Sequence, residues 1–218
     1  MSEVVSKENL TKALEEAIKS SKKRRFKQSV ELIVVLRDVD IRSPEGRIRE
    51  TIFLPHSPRK NVKICVIADG DMALKAKEAG AYRVVSREEL KLMAENRKLA
   101  KKLAQECDWV LIRTDMMGQA GRVIGPALGP RGKIPVPVPI TSDIKAVIEM
   151  YRRAVFIRTK DQPQIMCRIG TEDMNTDELV ENALTVISTV ASKLKNPKYN
   201  IAKVVVKTTM GPAVEVKK

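Results

Sequence analysis

Apolar and polar positions alternate most regularly near the C-terminus, in residues 201–207. A period of two is typical of a β-strand with one buried face. Residues 213–216 are again β-prone, so two strands around a turn at residues 208–212 are predicted. A terminal strand needs a partner, and the apolar run at residues 29–36 is the best candidate. The two ends of the chain are therefore expected to share one sheet.

The turn at residues 208–212 is predicted to present side chains at the end of that sheet. Gly211 can adopt backbone angles that are closed to other residues, and Pro212 has no N–H to donate to a neighbouring strand. The two threonines and the methionine before them would therefore be displayed beside the start of the 29–36 strand.

Helical periodicity marks both outer segments of the chain. Ser6 is predicted to cap a first helix, which ends in a basic run at residues 22–25. That run is either a nucleic-acid contact or a solvated helix end, where the helix dipole favours cations. Asn175 or Thr176 is predicted to cap a last helix over residues 177–195.

Further strands complete the outer segments. After turn residues at 43–46, residues 47–53 are predicted to return as a strand neighbouring residues 29–36. Residues 154–158 and 164–169 are predicted to form a hairpin. Together the outer segments indicate an α+β unit made from both chain ends.

Between them the pattern changes to alternating strands and helices. Strands are predicted at residues 62–68, 82–85 and 109–112, and residues 136–139 are predicted to be extended. Such a series implies a parallel sheet with helices on both faces.

The helix starts of this middle segment are predicted from capping residues. Asp69 or Asp71 would cap a short helix, Ser86 with Glu89 would form a capping box on one long helix, and Thr141 would cap another.

The predicted fold class is therefore α/β with two domains. Two prolines and a composition change near residue 60 mark the first boundary. Residues 1–60 and 154–218 form a split α+β domain, and residues 61–153 form an inserted parallel α/β domain. Two short crossings between them would define a hinge axis.

The charge of the chain points to a polyanionic partner. The net charge is +14, spread over all three segments, and aromatic residues make up only 3%. Nucleic acid or an acidic membrane surface fits the charge, whereas the scarcity of aromatic residues argues against base-stacking platforms as the main device. An acidic membrane is the less favoured partner. Binding to it would need a basic amphipathic helix with large apolar anchors, and the first helix lacks such anchors.

The cysteines and the single histidine predict neither a metal site nor a disulfide framework. Cys65, Cys107 and Cys167 are isolated, and no second histidine accompanies His56, so a reducing cytosol fits. No apolar run approaches the length of a membrane span, and residues 1–12 are too charged for a secretory signal.

A nucleotide-binding enzyme is the alternative, because parallel sheets of this kind usually hold nucleotides. The loop after the first middle strand offers one glycine, Gly70, between Asp69 and Asp71, whose carboxylates would repel phosphate. A glycine-rich segment at residues 118–135 departs from the phosphate-loop motif at Ala127 and Ile134.

The role of the glycine-rich segment can be interpreted in two ways. Its backbone amides, with Arg122, Arg131 and Lys133, could cradle a phosphate of an RNA strand, or the segment could be a stiff structural loop.

Three stretches together resemble the ribosomal protein L-one family, the family of the mobile stalk of the large subunit. They read RFKQSVEL at residues 25–32, GPALGPRGKIP at 125–135 and KTTMGP at 207–212. The resemblance runs the whole length of the chain, which is similar to the shorter archaeal form.

This resemblance implies a function as well as a fold. The inserted domain would be Rossmann-like and bind RNA secondarily, through Arg122, Arg131 and Lys133. The split domain would bind large-subunit rRNA, and would repress translation by binding a mimic of that site in its own mRNA. The stalk would move with deacylated tRNA at the exit site. The protein would be a cytoplasmic, non-enzymatic monomer within the ribosome, without cofactor or metal.

The RNA-contacting residues are predicted on the two terminal strands. Neutral side chains would provide selectivity, and basic neighbours would provide salt-sensitive attraction. The alternative is that Phe26 and Met210 belong to the core and that Glu31 pairs with a lysine. The predicted set is Arg25, Phe26, Lys27, Gln28, Ser29, Glu31, Lys203, Lys207, Thr208, Thr209, Met210 and Gly211.

Overall fold

The computed structural model describes residues 5–43, 46–58 and 61–217. Its chain separates into two compact units. The outer unit combines residues up to 60 with residues from 153 onward, and the inserted unit comprises residues 61–152.

The chain forms eight α-helices and ten strands within the described residues, with short 3₁₀ turns at Thr114–Met116 and Gly129–Arg131. In chain order they are α1 (Lys7–Lys19), β1 (Ser29–Leu36), β2 (Arg49–Phe53), β3 (Ile64–Ile67), α2 (Asp71–Glu78), β4 (Arg83–Val85), α3 (Arg87–Glu95), α4 (Arg97–Glu106), β5 (Trp109–Arg113), α5 (Met117–Leu128), β6 (Pro135–Val138), α6 (Ile144–Arg152), β7 (Ala154–Arg158), β8 (Gln164–Thr171), α7 (Thr176–Ser192), α8 (Pro197–Asn200), β9 (Ile201–Thr208) and β10 (Val214–Glu215).

The central sheet of the outer unit joins the two ends of the chain, as predicted. Its order is β10-β9-β1-β8, and β1 runs antiparallel to β9, with Val30 opposite Thr208. Alternate residues of β1 are buried on one face, where they share a core with apolar residues of α1, α7 and the neighbouring strands. Ser6 caps α1, and Asn175 with Glu178 forms a capping box on α7. The opposite face of the sheet is mixed. It carries charged side chains such as Glu31 and Lys207 together with the half-buried apolar side chains of Ile33, Val35 and Val205.

Two strand pairings differ from the prediction. β2 pairs with β7 in a separate two-stranded sheet, because β8 and β9 already occupy both edges of β1. β8 pairs with β1 and not with β7, so the predicted hairpin of β7 and β8 was wrong. Two residues of the predicted turn, Pro44 and Glu45, lie outside the described residues.

The inserted unit is built on a parallel sheet in the order β4-β3-β5-β6. All four residues of β3 are buried, as expected for a strand covered on both faces.

The starts and ends of helices in this unit depart from the prediction in four respects. The predicted long helix is two helices, because Asn96 is extended and caps α4 itself. Ser86 caps α3, but Glu89 does not complete the capping box. The Asp69 carboxylate accepts a hydrogen bond from the backbone N–H of Arg87 instead of capping α2, and the N-cap residue of α2 is Gly70. The Asp143 carboxylate, rather than Thr141, accepts from the first turn of α6.

A disulfide joins Cys65 in β3 to Cys107 at the end of α4, and both residues are fully buried. The expectation that no disulfide forms was wrong for this pair. Their separation of 42 residues hid it, because the fold of the parallel sheet and the helix beside it brings them together. Cys167 is free and buried, and burial raises the pKa of its thiol to about 12.

The glycine-rich segment is largely helical rather than a loop. It supplies α5, in which Ala120, Ile124, Ala127 and Leu128 face the core at helical spacing. Its amides are therefore engaged within a helix, and the predicted cradle of free backbone amides does not form along it.

Candidate nucleic-acid interface

The start of β1 and the turn after β9 lie side by side. We call residues 25–31 together with residues 207–211 the terminal junction. The backbone N–H of Ser29 donates to Thr209 Oγ1 over 3.0 Å, and the backbone N–H of Thr209 donates to the Ser29 carbonyl over 3.0 Å. Two segments 180 residues apart in sequence thus share one local hydrogen-bond network.

Gln28 holds this junction together from within. Its side chain is 0% exposed, and its Oε1 accepts from the backbone N–H of Met210 over 3.0 Å. Its Nε2 donates to Ser21 Oγ, to the Lys22 carbonyl and to Glu172 Oε2. Its buried side chain therefore positions the turn, and the predicted direct contact of Gln28 with RNA stays a prediction.

Thr208 and Gly211 are also structural parts of the turn. Thr208 is 0% exposed and donates its hydroxyl to Ser21 Oγ over 2.8 Å. A Cβ on Gly211 would collide with Thr208 Oγ1. Gly211 is not among the residues with positive φ, so the predicted reason for this glycine was wrong. Close approach to Thr208, rather than a special backbone angle, requires it.

Phe26 and Met210 are the large apolar side chains that the junction exposes. They are 52% and 58% accessible, which excludes the alternative that they belong to the core. Arg25 is also exposed beside them. Lys27 is held by Asp173 at 2.9 Å. Hydrogen bonds from Thr171 and then from Lys27 lower the pKa of Asp173 to about 2.

The open face of the sheet continues the junction with charged pairs. Glu31 lies opposite Arg168 on β8 and Lys207 on β9, and its carboxylate is 3.8 Å from Lys207 Nζ. The predicted alternative, in which Glu31 forms an ion pair with a lysine, is therefore confirmed. Lys203 is paired with Glu215 at 3.1 Å. These partners fix the long side chains across the strands.

A second basic surface lies at the far end of β1, and sequence reasoning missed it. The arginine cleft, as we call it, has a volume of about 560 Å³ and is lined by Arg42, Arg47, Arg49, Arg158 and Lys160, with Asp161 as its one carboxylate. Arg49 and Arg158 stand directly opposite each other on β2 and β7. Among the described residues, the five basic side chains make no ion pair or hydrogen bond. The charges were visible in the sequence, but the β2–β7 pairing that gathers them was not.

The three basic residues predicted for a second RNA contact differ in how they are engaged within the inserted unit. Arg122 is exposed on α5. Arg131 donates to the Ala127 carbonyl over 3.0 Å. Lys133 Nζ donates to the carbonyls of Ala104 and Cys107, at the C-terminus of α4, and burial lowers its pKa. Lys133 thus serves as a helix cap.

The crevice at the carboxyl ends of the parallel strands is where the alternative would place a nucleotide. It measures about 190 Å³. Arg113 Nε lies 2.6 Å from Asp115, and Arg87 lies 3.3 Å from Asp69 and 3.4 Å from Asp115. The hydrogen bond from Arg113 lowers the pKa of Asp115. The two arginines are thus engaged by carboxylates rather than free to bind a phosphate, and nothing in this geometry favours the enzyme alternative.

Within the described residues, none of the helices combines the length and the apolar character needed to cross a lipid bilayer.

Comparison with known proteins agrees with the resemblance carried by the three motifs. The ribosomal protein L1p/L10e family matches residues 11–212. The chain is 63% identical over 211 residues to the large ribosomal subunit protein uL1 of Staphylothermus marinus, covering 97% of each chain. It is 59% identical to that of Hyperthermus butylicus (98% of each chain), and 46% identical to that of Archaeoglobus fulgidus (98% of this chain and 99% of the relative). The chain therefore belongs to the ribosomal protein L1p/L10e family.

Proposed function

We propose that this protein is a structural, non-enzymatic constituent of the large ribosomal subunit and binds its rRNA through the terminal junction. One observation carries the proposal. Phe26 and Met210 are held out to solvent while a buried network, centred on Gln28, fixes the backbone beneath them. A rigid, pre-organised surface loses little conformational entropy when it binds.

The junction offers the chemistry that folded RNA requires. Phe26 and Met210 can pack against a sugar or a base face, and the Ser29 hydroxyl can bond a 2′-hydroxyl or a phosphate oxygen. The basic run at residues 22–25, which includes Arg25, supplies electrostatic attraction to phosphates. Glu31 is tolerable beside RNA because Lys207 offsets its charge. Gln28, Thr208 and Thr209 contribute by holding the backbone in place.

A gel-shift titration with a folded RNA fragment of the large-subunit stalk region tests the proposal. We expect a dissociation constant on the order of 10 nM near physiological salt, and at least 100-fold weaker binding to an unrelated folded RNA of equal length. Affinity should fall steeply with salt, because phosphate contacts release counterions. Equal affinity for the two RNAs would contradict a specific rRNA site.

We also propose that the terminal junction binds a mimic of the rRNA site in the protein's own mRNA and so represses translation. The physical basis is that one rigid surface recognises one RNA shape, wherever that shape occurs. The rRNA fragment should then compete fully with the mRNA segment for the protein in the same titration.

We assign contact with deacylated tRNA at the exit site to the arginine cleft. Exposed guanidinium groups bind phosphates bidentately, and unpaired ones lose no existing ion pair when they do so. The cleft lies at the opposite end of β1 from the terminal junction, roughly 25 Å away for an eight-residue strand. A stalk protein could therefore hold rRNA at one end while touching tRNA at the other.

Reversal of charge in the cleft tests this assignment. Large subunits carrying Arg47→Glu with Arg49→Glu should release deacylated tRNA at least about 10-fold faster, since each lost phosphate contact weakens binding and lowers its salt dependence. Lys7→Glu with Lys12→Glu makes the same charge change on the exposed face of α1 and should leave release unchanged. Equal changes in the rate of tRNA release from the two double variants would show that the net charge of the protein, and not the arginine cleft, controls release. The rRNA affinity of both variants should stay within about twofold of the wild type.

A further inference from the structure

A groove in the inserted unit lies between the α3–α4 segment and α5. It has a volume of about 440 Å³. The break between the two helices at Asn96 turns α4 away from α3 and so gives the groove one of its walls. We call it the helical groove, and it is lined by Met93, Ala94, Arg97, Ala100, Lys101, Arg122, Val123, Pro126 and Ala127.

The rim of the helical groove is positively charged on both sides. Arg97 and Lys101 are one turn apart on α4, and Arg122 faces them from α5. All three are exposed, and none of the lining residues is acidic. Among the residues that the structure describes, these three side chains have no carboxylate partner. A ligand lying between the helices would therefore meet cations along both edges.

The floor of the groove is apolar and aliphatic. Met93, Ala100 and Ala127 form its buried base, while Ala94 and Pro126 are exposed along its sides. Pro126 lies inside α5 and has no N–H to donate to the carbonyl of Arg122, so that acceptor lacks its usual partner within the helix. No aromatic side chain lines the groove, so it offers no stacking platform for a base.

We propose that the helical groove docks an acidic amphipathic helix of another protein, a role beyond the RNA contacts of the outer unit. Charge complementarity selects this partner. Carboxylates flanking an apolar stripe would pair with Arg97, Lys101 and Arg122, while leucine-type side chains of the stripe cover the aliphatic floor. An RNA backbone would satisfy the cations but would place hydrated phosphates and sugars over methyl and thioether groups, where their lost hydration is not replaced.

The test uses the full-length protein and a defined probe. The probe is a fluorescein-labelled 16-residue helical peptide with leucines at positions i, i+3, i+4 and i+7 and glutamates flanking them. Fluorescence anisotropy should report saturable binding with a dissociation constant on the order of 10 µM. A scrambled peptide of the same composition should bind at least about 10-fold more weakly, because its leucines no longer share one helical face.

Matched substitutions locate the binding. Arg97→Glu with Lys101→Glu should weaken peptide binding at least about 10-fold, and Ala94→Asp should do the same by placing a carboxylate at the groove side. Lys98→Glu with Lys102→Glu makes an equal charge change on α4 outside the groove lining and should have little effect. Absence of saturable binding, or equal losses from both double variants, would overturn the proposal.

Binding of the rRNA stalk fragment, measured on the same variants, distinguishes this proposal from the proposed rRNA site. The groove variants should bind the fragment within about twofold of the wild type, because the terminal junction is intact in them. Loss of RNA affinity in the groove pair, or displacement of the peptide by the RNA, would identify the groove as an RNA contact and overturn the protein-docking inference. A failure of the wild type to bind the fragment would instead contradict the rRNA proposal alone.

Discussion

Met210→Asp should weaken binding to the rRNA stalk fragment at least about 100-fold, which corresponds to about 2.7 kcal/mol. The side chain is 58% exposed at the centre of the terminal junction, and its backbone N–H is anchored to Gln28. The turn therefore cannot easily swing the new carboxylate away from the RNA. An aspartate would lose the apolar contact and place a negative charge against phosphates and base acceptors. Gel-shift titration at fixed salt measures the effect.

The inserted unit offers a matched control for this substitution. Met150 is also an exposed methionine, 40% accessible on α6. Met150→Asp makes the same change in charge and volume away from the terminal junction, so its rRNA affinity should stay within about twofold of the wild type. Thermal melts of both variants should match the wild type, because neither side chain belongs to the core. If Met210→Asp bound RNA as tightly as Met150→Asp, the terminal junction would not be the binding surface.

The sequence was sufficient to predict the sheet that joins the chain ends. Buried and less buried residues alternate along most of β1 and β9, each of which is eight residues long. A slip of one residue in their pairing would expose an entire buried face, so the register is strongly specified. The partner of β2 could not be obtained in this way. Its pairing depends on which edges of β1 are already occupied, and that competition between distant segments leaves no local pattern.

The candidate site was predictable in position but only partly in the role of each residue. The sequence left open whether Phe26 and Met210 belong to the core, and their exposure in the folded chain decides between the two. The burial of Gln28 could not be predicted, because it depends on Ser21 and Glu172, which converge on it only in the folded chain. Hydrogen-bonding side chains near a predicted site can either face the ligand or hold the scaffold, and residue type alone does not distinguish the two.

The glycine-rich segment shows how tertiary packing can override helix propensity. Gly118, Gly121 and Gly125 each disfavour a helix by roughly 1 kcal/mol relative to alanine. Burial of Ile124 and Leu128 against the parallel sheet offsets that cost. The glycines and the phosphate-loop resemblance obscured an apolar spacing that was present in the sequence.

The second large effect concerns the disulfide of the inserted unit. It closes a loop of 42 residues, and the loss of loop entropy in the unfolded chain corresponds to about 4 kcal/mol of stability at 25 °C. Both sulfur atoms are buried, between β3 and the end of α4, so the bond ties the sheet to the helix that flanks it. The outer unit contains neither cysteine and should not share this stabilisation.

Cys65→Ala with Cys107→Ala should therefore lower the unfolding free energy of the inserted unit by about 4 kcal/mol. Trp109 is the only tryptophan of the chain and lies on β5, so its fluorescence during guanidinium titration reports this unit selectively. Each single variant should lose nearly as much as the double variant, because either one removes the same bond. Reductant should shift the wild-type midpoint towards that of the variants and leave theirs unchanged. A wild-type midpoint unaffected by reductant, with additive losses in the single variants, would show that the two side chains stabilise the unit by packing alone.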